Sequence, residues 1–96
     1  MGITLVLVAR VPAAGIPDFQ RYEDAVLPLL ADHGGRLERR LRGAGGELEV
    51  HVVSFATAEA FAAYRADPRR AQHAELLAAS GAQVEVLEVE DVGPTA

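Results

Sequence analysis

The chain has 96 residues, half of them hydrophobic, and no cysteine, which supports one domain with a small core and excludes a disulfide framework and thiolate catalysis. Its formal charge of −5 argues against nucleic acid as the main partner. No apolar run approaches a membrane span and no basic region precedes the first one, so a cytoplasmic protein without a membrane partner is expected.

Ile3 to Val11 alternates as a strand, with Ile3, Leu5, Leu7, Ala9 and Val11 on one face and Thr4, Val6, Val8 and Arg10 on the other. Both faces are largely apolar, as in a central strand covered on both sides. Pro12 to Gly15 reads as a loop. Pro17 suits the first turn of a helix and Asp18 the positive end of its dipole. Phe19, Tyr22, Val26 and Leu30 recur at steps of three and four and predict one buried stripe. Pro28 lies inside that stretch and predicts a kink. The helix stops at Asp32-His33-Gly34-Gly35-Arg36, where a glycine can take the positive φ that a clean stop requires. His33 falls in the last turn. It is either a capping histidine or a proton carrier at the mouth of a site.

Arg36 to Arg42 alternates as a second strand, with Leu37, Arg39 and Leu41 on one face and Arg36, Glu38, Arg40 and Arg42 on the other. Gly43-Ala44-Gly45-Gly46 is a hairpin turn leading to a third strand, Glu47 to Phe55, on which Glu49, His51, Val53 and Phe55 share a face. Glutamates here can pair with the arginines across the hairpin. Thr57 is a plausible N-cap for a helix carrying Phe61 and Tyr64; Asp67-Pro68 breaks it and caps a second segment, which Gly81 ends. Gln83 to Glu90 is a last strand. Its alternation slips between Val86 and Leu87, which predicts either a bulge or two partly buried faces. Residues 1–92 form the domain and 93–96 a tail.

The order is strand, helix, strand, strand, helix, strand: the ferredoxin-like βαββαβ arrangement, an α+β fold with both helices on one face of a four-stranded antiparallel sheet. The other sheet face is apolar too, and in so short a chain a second copy is the simplest cover. A homodimer packed sheet against sheet is expected.

These features carry a resemblance. Tyr22, Pro28, the stretch His33-Gly34-Gly35-Arg36, Arg40, the run Ser54-Phe55-Ala56-Thr57, and Tyr64 followed by Asp67-Pro68 resemble the dimeric α/β-barrel superfamily, and within it the DUF1330 proteins. The resemblance spans nearly the whole chain and implies a fold and a dimer more than a reaction. The wider superfamily also holds cofactor-free monooxygenases, haem-degrading enzymes and muconolactone-isomerase-like proteins. This chain has neither tryptophan nor asparagine, which weighs against the haem degraders and against the monooxygenase residue set.

His33, His51 and His73 lack the close spacing of a metal site on one element, and no metal or cofactor is expected. His51 is a polar group on an apolar strand face. It is either a satisfied core or interface histidine or a catalytic base. His73 reads as a solvated helix residue. Arg10 and Arg39 each fall on the more apolar face of their strand. They are either ion-paired, with Glu49 or across the dimer, or they hold the carboxylate or enolate of a small ligand, with Tyr22 or Tyr64 hydrogen-bonding to it. Proton transfer would then fall to His51 or His33. There is no phosphate-binding glycine fingerprint and no nucleophile motif. Together with the resemblance, this implies a small homodimer that binds an anionic or aromatic metabolite in a sheet–helix cleft, acting as a cofactor-independent isomerase, cyclase or monooxygenase. The alternative is a non-catalytic dimerisation or ligand-sensing module.

Overall fold

The computed structural model describes residues 2–93; residues 94–96 of the expected tail lie outside them. The chain runs β1 (Ile3–Arg10), α1 (Ile16–Val26), β2 (Gly35–Gly43), β3 (Leu48–Phe55), α2 (Ala58–Arg65), α3 (Pro68–Ala71), α4 (Ala74–Ser80) and β4 (Gln83–Val89). The strands form one antiparallel sheet in the order β2-β3-β1-β4, with the helices on one face. This is the ferredoxin-like fold expected from the order of elements. Among the described residues no helix is long and apolar enough to cross a membrane.

Phe19, Tyr22 and Val26 are buried as the helical period requires. The stretch around Pro28 differs from expectation. Instead of kinking, α1 stops at Val26, and Leu27–His33 tightens into a 3-10 helix with the proline in its first turn. A proline nitrogen cannot donate to the α-helical ladder, and the tighter winding removes the need for it there. Gly34 ends this segment with φ 67°, and its amide bonds to the Ala31 carbonyl at 3.2 Å. Thr57 accepts from the Ala60 amide at 3.0 Å and Asp67 from the Arg69 amide at 2.9 Å, so both expected N-caps form. Just before α1, a Cβ on Gly15 would stand 1.8 Å from the Ser80 carbonyl oxygen, so this contact with the end of α4 requires glycine.

Two strands depart from simple alternation. In β2 the pairing with β3 runs Arg36↔Ser54 and Leu37↔Val53, then resumes past Glu38 as Arg39↔Val52, Arg40↔His51, Leu41↔Val50 and Arg42↔Glu49. The extra residue is a bulge, and it reverses every later side chain. Arg39 and Leu41 therefore do not share a face with Leu37. They go to the open face, while Arg40 and Arg42 turn under the helices. In β4 no bulge occurs: pairing with β1 is continuous from Arg10↔Gln83 to Thr4↔Val89. Both faces of this edge strand carry apolar residues, and all seven of its positions are exposed.

The core has two apolar clusters on the helix side of the sheet. One holds Leu5, Leu30, Phe55 and Tyr64; the other holds Ala9, Val11 and Phe19. Between the Leu5 and Ala9 rows runs the pair Leu7↔His51, and Glu49 faces Ala9. A polar seam therefore lies within the small core. The opposite sheet face, with Val6, Val8, Val50, Val52 and Leu87, has no covering layer in the single chain. The molecule measures 41 × 35 × 16 Å, and its radius of gyration of 13.9 Å exceeds the roughly 12.5 Å of a compact domain of this length.

Candidate functional site

The seam is built from three elements. On β3, Glu49 and His51 are two residues apart and so share a face; both are essentially fully buried. His51 Nε2 lies 2.7 Å from Glu49 Oε1. The β2 bulge brings two arginines to the same carboxylate: Arg40 Nε donates to Oε1 at 2.6 Å and Arg42 Nε to Oε2 at 3.1 Å. On α1, Glu23 is buried, with Oε2 3.6 Å from His51 Nδ1. The imidazole thus stands between two carboxylates, one clamped by arginines and one free of them.

That asymmetry sets the protonation states. Burial pushes the Glu23 carboxyl up to about 7, the nearby Glu49 charge pushes the same way, and Arg40 and Arg70 only partly offset them. Burial would raise Glu49 too, but hydrogen bonds from His51 and Arg40, the Arg40 charge and the Arg42 bond outweigh it and hold this carboxyl below its ordinary value. Burial lowers His51 against the pull of Glu49, and the two arginines add to the lowering. At neutral pH Glu49 is ionised, His51 is neutral and Glu23 is poised between its two forms. Ionised Glu49 takes the Nε2 proton of His51 as its donor, which leaves the Nδ1 lone pair toward Glu23.

Glu23 and His51 line a cleft of about 180 Å³ between the sheet and the helical layer. Leu5, Leu7 and Val53 form its floor, with Val26, Leu30, Tyr64 and Arg70 around it. A dry apolar cavity of about 150 Å³ can hold benzene, so the space suits a single ring with small substituents. The Tyr64 hydroxyl donates to the Val26 carbonyl at 3.4 Å. Burial pushes it up to about 12, against the Arg70 charge and with that of Glu23, so it remains a donor. The Arg70 guanidinium lies 4.6 Å over the Tyr64 ring centre and donates to the Tyr22 hydroxyl at 3.2 Å.

Of the residues singled out in the sequence, His51 and Tyr64 line the cleft. Tyr22 is buried and reaches the site through Arg70. His33 stands outside it: Nε2 is 2.8 Å from Asp67 Oδ2, and Arg69 joins Asp67 to Asp32 at 2.7 and 2.9 Å. Arg69, then His33, hold the Asp67 carboxyl well below the usual carboxylate range. His33 is thus part of a clasp between the end of the 3-10 helix and the start of α3. Arg10 and Arg39 are corrected: both are exposed on the open sheet face, neither lines the cleft, and Glu49 pairs with Arg40 and Arg42 instead. Glu23, Arg42 and Arg70 are not among the site residues expected from the sequence, and Arg40 figures there only in the resemblance. Glu23 had a signal, because it lies four residues after Phe19 on the buried stripe. The arginines at 40 and 42 were hidden by the bulge, and Arg70 comes to the site only through tertiary packing. Among the described residues no group of three His, Asp or Glu side chains could hold a metal ion.

No family model matches the chain, and no curated protein does. Solved structures do. A Nitrosomonas europaea protein provisionally described as an antibiotic biosynthesis monooxygenase superposes with a TM-score of 0.78 at 14% identity, covering 99% of this chain and 94% of its own. SnoaB, a cofactor-independent oxygenase from Streptomyces nogalater, has a TM-score of 0.73 at 21% identity over 98% of both chains. Rv0793 from Mycobacterium tuberculosis has a TM-score of 0.69 at 18% identity, covering 98% of this chain and all of its own. At such identities these likenesses establish the fold alone.

Proposed function

We propose that the protein is a cofactor-independent enzyme that removes a proton from a small anionic or aromatic metabolite bound in the sheet–helix cleft. The observation that carries this reading is a buried carboxyl with a pKa near 7, Glu23, on the wall of an apolar cleft and 3.6 Å from a neutral, oriented imidazole. A base poised near the working pH is suited to proton transfer. Ionised Glu23 takes the proton from an acidic carbon or hydroxyl of the ligand. His51 Nδ1 accepts a hydrogen bond from the protonated carboxyl after a small approach, and Glu49 balances any positive charge the ring acquires.

The resulting enolate or phenolate has two fates. Return of the proton to another atom is an isomerisation. Reaction with dioxygen turns a methylene group of the substrate into a carbonyl. Two C–H bonds and the O–O bond break; one oxygen atom stays on the carbon, and the other leaves as water with both hydrogens. Both electron pairs come from the substrate, so no cofactor is needed. The oxygenase named among the structural neighbours favours including this second fate. Phenylpyruvate, a single-ring acid with exchangeable benzylic protons, tests the shared step. In heavy water the protein accelerates loss of its benzylic proton signal and Glu23→Gln does not. No acceleration by the wild type contradicts the reading; an oxygen electrode separates the two fates.

A homodimer belongs to the same reading. The accessible surface of 6090 Å² exceeds the roughly 5300 Å² expected for a monomer of this mass. The excess is about what one partner buries in a standard interface. The uncovered valines on the open face supply an apolar centre, and Arg10, Arg36 and Arg39 lie among the exposed residues of that face. Kinship with the DUF1330 proteins is a finer part of this reading, supported by the stretch His33-Gly34-Gly35-Arg36.

A further inference from the structure

The nine arginines differ in what answers their charge. Arg21, Arg40, Arg42 and Arg69 each have a carboxylate within 4.0 Å. Arg10, Arg36, Arg39 and Arg65 are exposed, where water suffices. Arg70 has neither. It is half-buried on the wall of the cleft, and every partner it has among the described residues is neutral: the Tyr22 hydroxyl, the Arg65 carbonyl at 3.4 Å, and the face of the Tyr64 ring. Its Nε is buried with no acceptor. Glu23 is near enough to feel its charge but is not within 4.0 Å, and burial favours its neutral form; a partly desolvated guanidinium with no carboxylate in contact is costly unless an anion reaches it.

We propose that Arg70 is the carboxylate-binding residue of the cleft, and that the ligand is a planar single-ring carboxylic acid whose opposite end faces Glu23 and His51. This assignment deepens the proton-transfer reading and rests on the same cleft. The planar fork of Arg70 matches a carboxylate geometrically. Tyr22 and Tyr64 hold the guanidinium in one orientation, so little side-chain freedom is lost on binding. The volume of about 180 Å³ matches one ring with small substituents. The apolar floor accepts the ring, and Arg70 and Glu23 both line the same cleft. The charge is also selective: Glu23, Asp24 and Glu49 are the carboxylates near this seam, and of the two arginines that line the cleft Arg65 is exposed to water, which leaves the half-buried Arg70 to meet an anion.

The test is isothermal titration calorimetry of the intact protein at pH 6 with benzoate and with its neutral isostere benzamide. Benzoate binds at least about tenfold more tightly than benzamide, the preference expected of a charge-assisted contact. Arg70→Gln removes that preference, while Arg39→Gln on the open face keeps it. Equal binding of the two probes, no benzoate binding at millimolar concentration, or loss of the preference in Arg39→Gln instead overturns the assignment. The comparison of probes on the wild type needs no variant, so it stands even if Arg70→Gln fails to fold. Benzoate has no proton to surrender to Glu23. A benzoate preference with no exchange of phenylpyruvate protons would therefore keep the carboxylate site and sink the catalytic reading.

Discussion

Replacing Glu23 by glutamine removes a buried carboxyl pushed up to about 7 and leaves the shape of α1 almost unchanged. The sign of the effect follows from proton counts. Between pH 4.5 and about 7 the folded protein keeps Glu23 protonated while the unfolded chain does not. The folded state therefore binds more protons, and stability falls as pH rises across that window. At about 1.4 kcal/mol per pH unit, the span from 4.5 to about 7 sets a contribution of about 3 kcal/mol. It is fully present below pH 4.5 and lost as pH rises through 7. His51 opposes it: its lowered pKa adds stability as pH rises toward 6.5. The difference between wild type and Glu23→Gln isolates the carboxyl. Urea unfolding followed by circular dichroism at pH 5, 6, 7 and 8 measures it. The two proteins should differ by less than about 1 kcal/mol at pH 5, and the variant should be more stable by up to about 3 kcal/mol at pH 8. Parallel stability curves for the two proteins would refute the assignment of a buried, proton-holding Glu23.

Other perturbations have readable outcomes. Glu49→Ala strips the counter-ion from Arg40 and Arg42 and the acceptor from His51; it should cost about 3 kcal/mol in a urea midpoint measurement, the low end for a broken buried pair because Arg42 can reach solvent. His51→Ala lowers stability by about 1–3 kcal/mol in thermal unfolding, since Glu49 loses a donor. It should also abolish proton exchange into phenylpyruvate. Gly15→Ala drives a methyl into the Ser80 carbonyl and should cost about 1–3 kcal/mol by scanning calorimetry. Val52→Asp places a charge in the middle of the open sheet face and should turn a dimer into a monomer in light scattering, with the far-ultraviolet spectrum retained.

The order of elements was legible because alternation and helical period are local properties. So were the caps Thr57, Asp67 and Gly34, whose chemistry acts within three residues. The site was less legible, for one main reason. The bulge at Glu38 depends on pairing with β3, and nothing in Arg36 to Arg42 announces it. Strict alternation therefore sent Arg39 toward the ligand and Arg40 and Arg42 to solvent, when the fold does the opposite. His51 was visible as a polar residue on an apolar face, yet its partners come from β2 and α1. Glu23 could have been flagged as a carboxylate inside the buried stripe. Arg70 could not, because its contacts to Tyr22 and Tyr64 join α3 to α1 and α2. The Pro28 segment shows a different limit: the sequence marks the break in the helix, but the choice between kink and tighter winding belongs to the packing around it.

Proton transfer in the sheet–helix cleft depends most on a proton held near neutrality between Glu23 and His51. Carbon-13 NMR of the Glu23 side-chain carboxyl, assigned by its absence in Glu23→Gln, reads that proton directly as pH is varied. A midpoint near 7 is predicted, with a further rise when benzoate is bound, because the added anion disfavours the carboxylate. A midpoint near 4.5, unchanged by benzoate, would contradict the proposed site.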